Sequence, residues 1–368
     1  MTILGTRPEA IKLAPVLLEL GRRKRQFRSI LCVTGQHREL LDPMLKFFNF
    51  RPDYDLRVMR KNQSLSGLTA RLLEALDPVL AKVRPDWIMV QGDTTTVMAS
   101  ALAAYYRGIR VAHVEAGLRT SNKRSPFPEE INRRMAGVLA DVHFAPTPLA
   151  ERNLQREGVK RDCICMTGNT VVDALNWAIK RVREKPPKMP ADIPLLRRGR
   201  RLILVTGHRR ENFGAGMEQI CLALRDIADA LPDVDLVYPV HLNPNVREPV
   251  NRLLAGQTRI HLADPVEYPV LVELLQRSWI ILTDSGGIQE EAPTFGVPCL
   301  VMRDSTERPE GIQQGVAKLV GTDRWKIVAA VRHLDRDAQA YKRMASGENP
   351  YGDGKAAKKV VKWLEECK

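Results

Sequence analysis

Residues 279–291 read WIILTDSGGIQEE, from Trp279 to Glu291. The run Trp279-Ile280-Ile281-Leu282 is apolar without alternation, the pattern of a strand buried on both faces. Ser285-Gly286-Gly287 follows, where glycine lets backbone N–H groups approach a ligand closely. Glu290 and Glu291 then fall where the first helical turn is expected, favoured by the dipole and within reach of ribose hydroxyls. Strand, glycine turn and helix start together describe a diphosphate site with a sugar-binding acid beside it. Taken alone, the same letters also fit an ordinary strand-to-helix turn.

The pattern recurs along the chain. Apolar runs at Ile3-Leu4, Ile30–Val33, Trp87–Val90 and Val111–Val114 lead into GTRPEA, TGQHRE, QGDTTT and EAGLRT. Further on, Leu202–Val205, Leu236–Val240 and Trp279–Leu282 lead into TGHRREN, HLNPN and TDSGG. Continuous apolar strands alternating with helices predict parallel sheets covered on both faces, with ligands beyond the strands' carboxyl ends. The first strand, Met1–Leu4, is short, as if clipped or begun at an internal methionine. Helical patterns cover Val171–Val182 and Gly354–Glu366; Pro8 suits a first turn and Pro15 predicts a kink or restart.

With 368 residues there is room for two domains. The passage between them is expected near Thr167-Gly168-Asn169, with the basic, proline-rich stretch Lys185–Arg201 an exposed loop. The predicted domains are 1–168, with the helix 354–368 returning to it, and 169–353. No apolar run approaches the roughly 18 residues that a membrane span needs. The absence of a signal-peptide pattern leads to a cytoplasmic expectation.

The net charge of +14 resides mostly in two segments, 22–28 and 180–201, neither interleaved with aromatics that could stack on bases. These read as solvated basic faces, not a nucleic-acid surface. The six cysteines form no C-x-x-C pair, so neither zinc nor a disulfide framework is expected; Cys163-Ile164-Cys165 has one intervening residue, which would point to the opposite face of a strand.

No G-x-G-x-x-G follows a strand, so no nicotinamide cofactor is implied. No Walker loop, G-x-S-x-G or H-E-x-x-H occurs either. What stands at strand ends is a set of acids and bases: Arg7, Lys12, Asp93, Glu115, Glu129, Arg133, His208, Arg209, His241 and Arg308. Taken singly, Asp93 reads as a helix N-cap, Glu115 as a turn residue and Glu129 as a helix-start acid. His113 and His143 read as packed strand histidines.

The motifs GTRPEAIKLAPV, TGQHRELLD, QGDTTT, HVEAGLRT, PFPEEINRR, TGNTVVDAL, TGHRRENFG, YPVHLNPNVREPV, LTDSGGIQEEAP and RDSTERPEG run in order over nearly the whole chain. Together they resemble the non-hydrolysing UDP-N-acetylglucosamine 2-epimerases. The resemblance implies two Rossmann-like α/β domains of glycosyltransferase-B type, an active site in the interdomain cleft, and usually a homodimer. It implies interconversion of UDP-GlcNAc and UDP-ManNAc, with no cofactor, no metal, no nucleic acid and no membrane.

By the same resemblance, Asp93, Glu115 and Glu129 are the catalytic acids. Arg7, His208 and the Ser285-Gly286-Gly287 amides contact diphosphate, with His208 also counted as catalytic. Lys12 and Arg133 lie in the cleft, Glu291 on ribose and Arg308 near the nucleotide. Uracil is expected against the Pro265–Leu271 loop, read by backbone at Val266, with Leu271 standing where an aromatic is frequent. Some members bind a second UDP-GlcNAc as activator; Gln36, His37, Glu39, Arg210 and His241 fall in that region, while Asn62 replaces an arginine.

The chemistry accounts for these residue types. The C2 proton adjoins no carbonyl, so it becomes labile only as UDP leaves C1 and positive charge develops there. Loss of UDP across C1–C2 gives 2-acetamidoglucal, and returning proton and UDP inverts C2. Carboxylates must then move the proton, and cations must hold the departing diphosphate. The alternatives are an epimerase of a UDP-2,3-diacetamido sugar acid, a hydrolysing epimerase, a glycosyltransferase, or a non-catalytic nucleotide- or nucleic-acid-binding protein.

Overall fold

In the computed structural model, residues 1–36, 38–60, 63–193 and 199–367 are described. The chain divides into two compact units, Met1–Ala174 with Tyr351–Lys368, and Leu175–Pro350.

The first unit runs β1 (Thr2–Leu4), α1 (Arg7–Arg22), β2 (Leu31–Val33), α2 (Arg38–Phe47), β3 (Tyr54–Asp55), α3 (Leu65–Val83) and β4 (Trp87–Gln91). It continues through α4 (Thr95–Tyr106), β5 (Arg110–Val114), α5 (Glu129–Leu139), β6 (Val142–Ala145), α6 (Pro148–Arg156), β7 (Ile164–Met166) and the start of α7 (Thr170–Glu184). The second unit holds β8 (Arg201–Thr206), α8 (Ala215–Ala230), β9 (Val234–Pro239), α9 (Pro244–Leu254), β10 (Ile260–Ala263), α10 (Tyr268–Arg277) and β11 (Ser278–Thr283). Then come α11 (Gly286–Glu291), β12 (Cys299–Val301), α12 (Pro309–Gln313), β13 (Ala317–Leu319), α13 (Arg324–Arg336) and α14 (Ala338–Ala345), before α15 (Ala356–Glu366) in the first unit.

Both sheets are parallel. The first has the order β3-β2-β1-β4-β5-β6-β7 and the second β10-β9-β8-β11-β12-β13. Each therefore reverses direction of winding at one place, between β1 and β4 and between β8 and β11, where a Rossmann-like fold binds its ligand. The expected α/β class with two such domains holds.

Burial on both faces explains the unbroken apolar strands. Along β8, Ile203 and Val205 join a core with α8, α9 and α13, while Leu202 and Leu204 join a second core with α10. In the first sheet Ile3, Cys32, Ile88, Val90 and Val111 pack with Leu76, Leu80, Val97 and Ala136. The edge strands β3, β7 and β13, two or three residues each, are too short to show as apolar runs.

Several local expectations change. Cys163 closes a 3-10 turn before β7, so only Cys165 lies on that strand. The helix α1 continues through Pro15, with Leu13, Ala14, Val16 and Leu17 buried around it, so packing outweighs the lost backbone bond. Glu290 and Glu291 end α11, because the helix begins directly at Gly286. Leu271 lies in α10, not in a loop, its N–H bonded to the Glu267 carbonyl at 3.0 Å. The N-cap of α4 is Thr94, not Asp93.

The chain's last helix returns to the first unit by two devices. Asp173 accepts the N–H groups of Ala356 and Ala357 at 3.2 and 2.9 Å, capping α15 from another helix. Trp363 sits edge-on to Trp87 and Phe144, with centroids at 5.9 and 5.7 Å. Trp363→Ala should therefore destabilise the first unit by about 3 kcal/mol, the lower end of the range for losing a large aromatic; urea unfolding measures this, and an unchanged midpoint would contradict it.

Candidate active site

The ends of β1, β4 and β5 gather the first unit's chemistry. Glu115 follows β5 with φ of 63°, a left-handed conformation that is uncommon outside glycine. Its side chain is 6% exposed. Lys12 Nζ donates to Glu115 Oε1 at 2.6 Å, Gln91 Nε2 donates to Oε2, and Asn169 Nδ2 lies 3.5 Å from Oε1. A buried carboxylate needs such partners.

Asp93, one strand over, accepts from Arg133 Nη2, and Arg133 Nη1 also lies 3.4 Å from Glu130. Arg133 is 5% exposed, and Glu130, fully buried, additionally accepts the Thr120 N–H at 3.1 Å. Glu129 is the first residue of α5 and half-buried. Arg7 opens α1 and is half-buried. Neighbouring loops are laced together beneath these groups: the Thr34 and Thr96 hydroxyls meet at 3.1 Å, and Thr96 donates to Gln36 at 2.8 Å. A Cβ at Gly5 would strike both threonines, which is why glycine stands there.

In the second unit, β8 and β11 end side by side, their Thr206 and Thr283 hydroxyls 2.6 Å apart. Beyond them Asp284, fully buried, accepts the His208 N–H at 2.9 Å, the Arg209 N–H at 2.8 Å and Asn212 Nδ2 at 3.1 Å. His208 Nδ1 faces Asp284 Oδ1 at 3.7 Å, and its ring stacks on His241 with centroids 5.4 Å apart. Desolvation pushes the His208 pKa down against the pull of Asp284, with Arg209 and His241 adding to the depression.

A compact ionic cluster stands beside α11. Arg308 pairs with Glu290 at 2.6 Å; Glu307 takes Arg303 at 2.6 Å, Arg209 at 3.3 Å and Arg308 at 3.7 Å. Burial would raise the Glu307 pKa, yet Arg308, Arg303 and Arg209 outweigh it and lower it to about 2. A Cβ at Gly286 would lie 3.0 Å from Glu307, so glycine lets this cluster approach the Ser285-Gly286-Gly287 backbone. Glu291 is 7% exposed. Val266 and Leu271 are half-buried against the core shared by Leu274 and Ile281.

The first unit thus brings Lys12 to Glu115 and Asp93 to Arg133, and the second brings His208 to His241. Glu39 and Arg210 are exposed on their units, and Gln36 is half-buried. His37 and Asn62 lie outside the described residues. Sequence reasoning passed over Glu9, Gln91, Asn169, Glu130, Asp284 and Glu307. Asp284 sat inside a quoted motif, but its role depends on amides 75 and 76 residues away.

Two switch-point sheets with acids and cations at their strand ends define a nucleotide-sugar enzyme of Rossmann-like α/β build. A family profile described as UDP-N-acetylglucosamine 2-epimerase matches residues 19–365. The chain is 51% identical over 368 residues to the UDP-N-acetylglucosamine 2-epimerase of Escherichia coli K12, covering 99% of this chain and 98% of that one. It is 47% identical to the enzyme of that name from Campylobacter jejuni, covering 99% and 96%. A crystal structure of UDP-GlcNAc 2-epimerase from Neisseria meningitidis bound to UDP-GlcNAc superposes with a TM-score of 0.93 at 46% identity, covering 99% of both chains. The Methanocaldococcus jannaschii UDP-GlcNAc 2-epimerase in complex with UDP-GlcNAc and UDP superposes with a TM-score of 0.81 at 34% identity, covering 99% and 98%. The chain belongs to the non-hydrolysing UDP-N-acetylglucosamine 2-epimerase family and is an isomerase.

Buried titratable groups under the site give stability a pH dependence. His113 and His143, packed in β5 and β6 as read from sequence, are lowered by desolvation to about 4. Their contribution is complete above the unfolded value near 6.5 and is lost as pH falls through 4, about 3 kcal/mol for each. Glu9 opposes them: burial raises it to about 7, so its contribution is complete below about 4.5 and is lost as pH rises through 7. Denaturant titrations from pH 7 to 4 should show a shallower acid loss in His113→Asn and a steeper one in Glu9→Gln; identical slopes in all three proteins would refute the assignment.

Proposed function

We propose that the protein interconverts UDP-N-acetylglucosamine and UDP-N-acetylmannosamine by the following route. The C1–O bond breaks with its electron pair leaving on UDP, a carboxylate takes the C2 proton, and a C1–C2 double bond remains. A second carboxylate then returns a proton to the opposite face of C2, and a UDP oxygen re-forms the bond to C1. Atoms and charge balance without redox. Neither bound water nor hydrolysis enters the route, so no free sugar is released.

The observation that carries this reading is the pair of carboxylates beyond neighbouring strands, Glu115 after β5 and Asp93 after β4, each held by its own cation. Glu129 supplies a third acid at the start of α5. Lys12 pairs with the buried Glu115 carboxylate, and Arg133 pairs with Asp93. Arg7, His208 and the amides of Ser285, Gly286 and Gly287 receive the diphosphate, and Arg308 and Glu291 the ribose side of the nucleotide. A preorganised donor of this kind is commonly worth about 3–4 kcal/mol in the transition state. Uracil lies near Val266 and Leu271. An activating UDP-GlcNAc engages Gln36, His37, Glu39, Arg210 and His241.

Proton NMR of UDP-GlcNAc turning over in heavy water tests the route: deuterium should enter C2 in both epimers. Glu115→Gln and Asp93→Asn should each lower kcat by about 10²–10⁴ while UDP still binds. Retention of the original hydrogen at C2 would exclude elimination, and wild-type turnover in a variant would strike that residue from the mechanism.

The assembly is a homodimer through α5. Ile131, Met135 and Val138 form one stripe on that helix, 37%, 41% and 86% exposed, with Phe127 before it at 68%. Tyr105 and Tyr106, at the end of the adjoining α4, are 62% and 70% exposed. An apolar face of this kind on a folded unit is characteristic of an association surface. Sedimentation of Val138→Glu should give monomers where the parent gives dimers; an unchanged dimer would place the interface elsewhere. The protein works in the cytoplasm, a reading supported by six cysteines of which none is in a disulfide, and among the described residues no helix is long and apolar enough to cross a membrane.

A further inference from the structure

Thr6-x-x-Glu9 spells a capping box, in which the glutamate need only accept the N-cap N–H. An exposed glutamate does that as well as a buried one. Glu9 is instead 1% exposed, and desolvation raises its pKa to about 7. Local capping does not explain why a carboxyl is retained in so unfavourable a place.

Its two oxygens face different loops. Oε2 accepts the Gly5 N–H at 2.5 Å and the Thr6 N–H at 2.9 Å, fixing the turn that leads into Arg7. Oε1 accepts the hydroxyl of Thr94, 85 residues further along. Thr94 follows Asp93 directly and caps α4 through the Val97 N–H. Asp93 is therefore held twice, its carboxylate by Arg133 and its backbone by the neighbour that Glu9 grips. Among charged groups, Asp93 faces Glu9 from the β4–α4 turn, while Lys12 on the same helix is turned to Glu115.

We propose that Glu9 is a positioning residue for the epimerisation: its carboxyl clamps the loop bearing Arg7 to the loop bearing Asp93, so that the group receiving the diphosphate and the group moving the C2 proton keep one fixed separation. Glu9 itself touches no reacting atom. The proposal rests on the roles given above to Arg7 and Asp93.

Because misplacement of a reacting group by about 1 Å costs on the order of a hundredfold in rate, the clamp should appear in kcat. Steady-state kinetics on UDP-GlcNAc should show kcat at least tenfold lower in Thr94→Val and in Glu9→Gln, with KM within about twofold of the parent. Thr94→Ser, which keeps the hydroxyl, should recover most of the loss. The double variant Glu9→Gln/Thr94→Val should be no slower than the worse single one, since both cut the same link. Wild-type kcat in either single variant, losses that multiply in the double, or a matched rise in KM with no recovery by serine would overturn the clamp. Asp93→Asn is the separating control. Activity lost there but kept in the Glu9 and Thr94 variants defeats the clamp alone; wild-type activity there defeats the role of Asp93 and the clamp with it.

Discussion

The pairing of Glu115 with Lys12 is the constraint around which the first unit is arranged. A carboxylate 6% exposed, on a residue in left-handed backbone, is unfavourable on both counts and persists only where its surroundings fix it. Lys12 supplies the charge, while Gln91 and Asn169 address the remaining oxygen lone pairs. Each comes from a different element: Lys12 from α1, Gln91 from the end of β4, and Asn169 from the turn before α7. The acid is thus a meeting point of separate elements of the first unit. The loss of one partner would leave a buried charge uncompensated, which is more damaging than the absence of the whole group.

The second unit uses the same principle with reversed sign. Three arginines, Arg209, Arg303 and Arg308, share Glu307, and Glu211 and Glu290 take the outer sides of Arg303 and Arg308. Such a cluster holds guanidinium groups in fixed positions near the Gly286 backbone while limiting their mutual repulsion. Asp284 organises the opposite loop by accepting from backbone and side chain alike, leaving the His208 ring stacked on His241. Cation placement in the second unit thus depends on Glu290 and Glu307. This is the arrangement expected where developing negative charge must be met by donors already in place.

Much of the frame was legible beforehand because parallel strands buried on both faces must be apolar at consecutive positions, a signal that survives in a single sequence. The runs at Trp87–Val90, Leu202–Val205 and Trp279–Leu282 all lie within strands of the two sheets. Capping chemistry was less secure. Asp93 resembled a cap by composition, whereas Thr94 makes the bond, because the actual cap depends on where the last strand residue releases the chain. The edge strands β3 and β13 escaped notice because two or three residues carry no period.

By itself the sequence determined the α/β class, the alternation of strand and helix, and the positions of Asp93, Glu115 and His208 just past strand ends, since these follow from local propensity and burial along contiguous residues. The tertiary structure alone decided which charges meet. Lys12 finds Glu115 across 103 positions, Arg133 finds Asp93 across 40, and Glu9 finds Thr94 across 85. No periodicity encodes such pairs, because the winding of strands within a sheet, not proximity in the chain, brings those side chains within hydrogen-bonding distance.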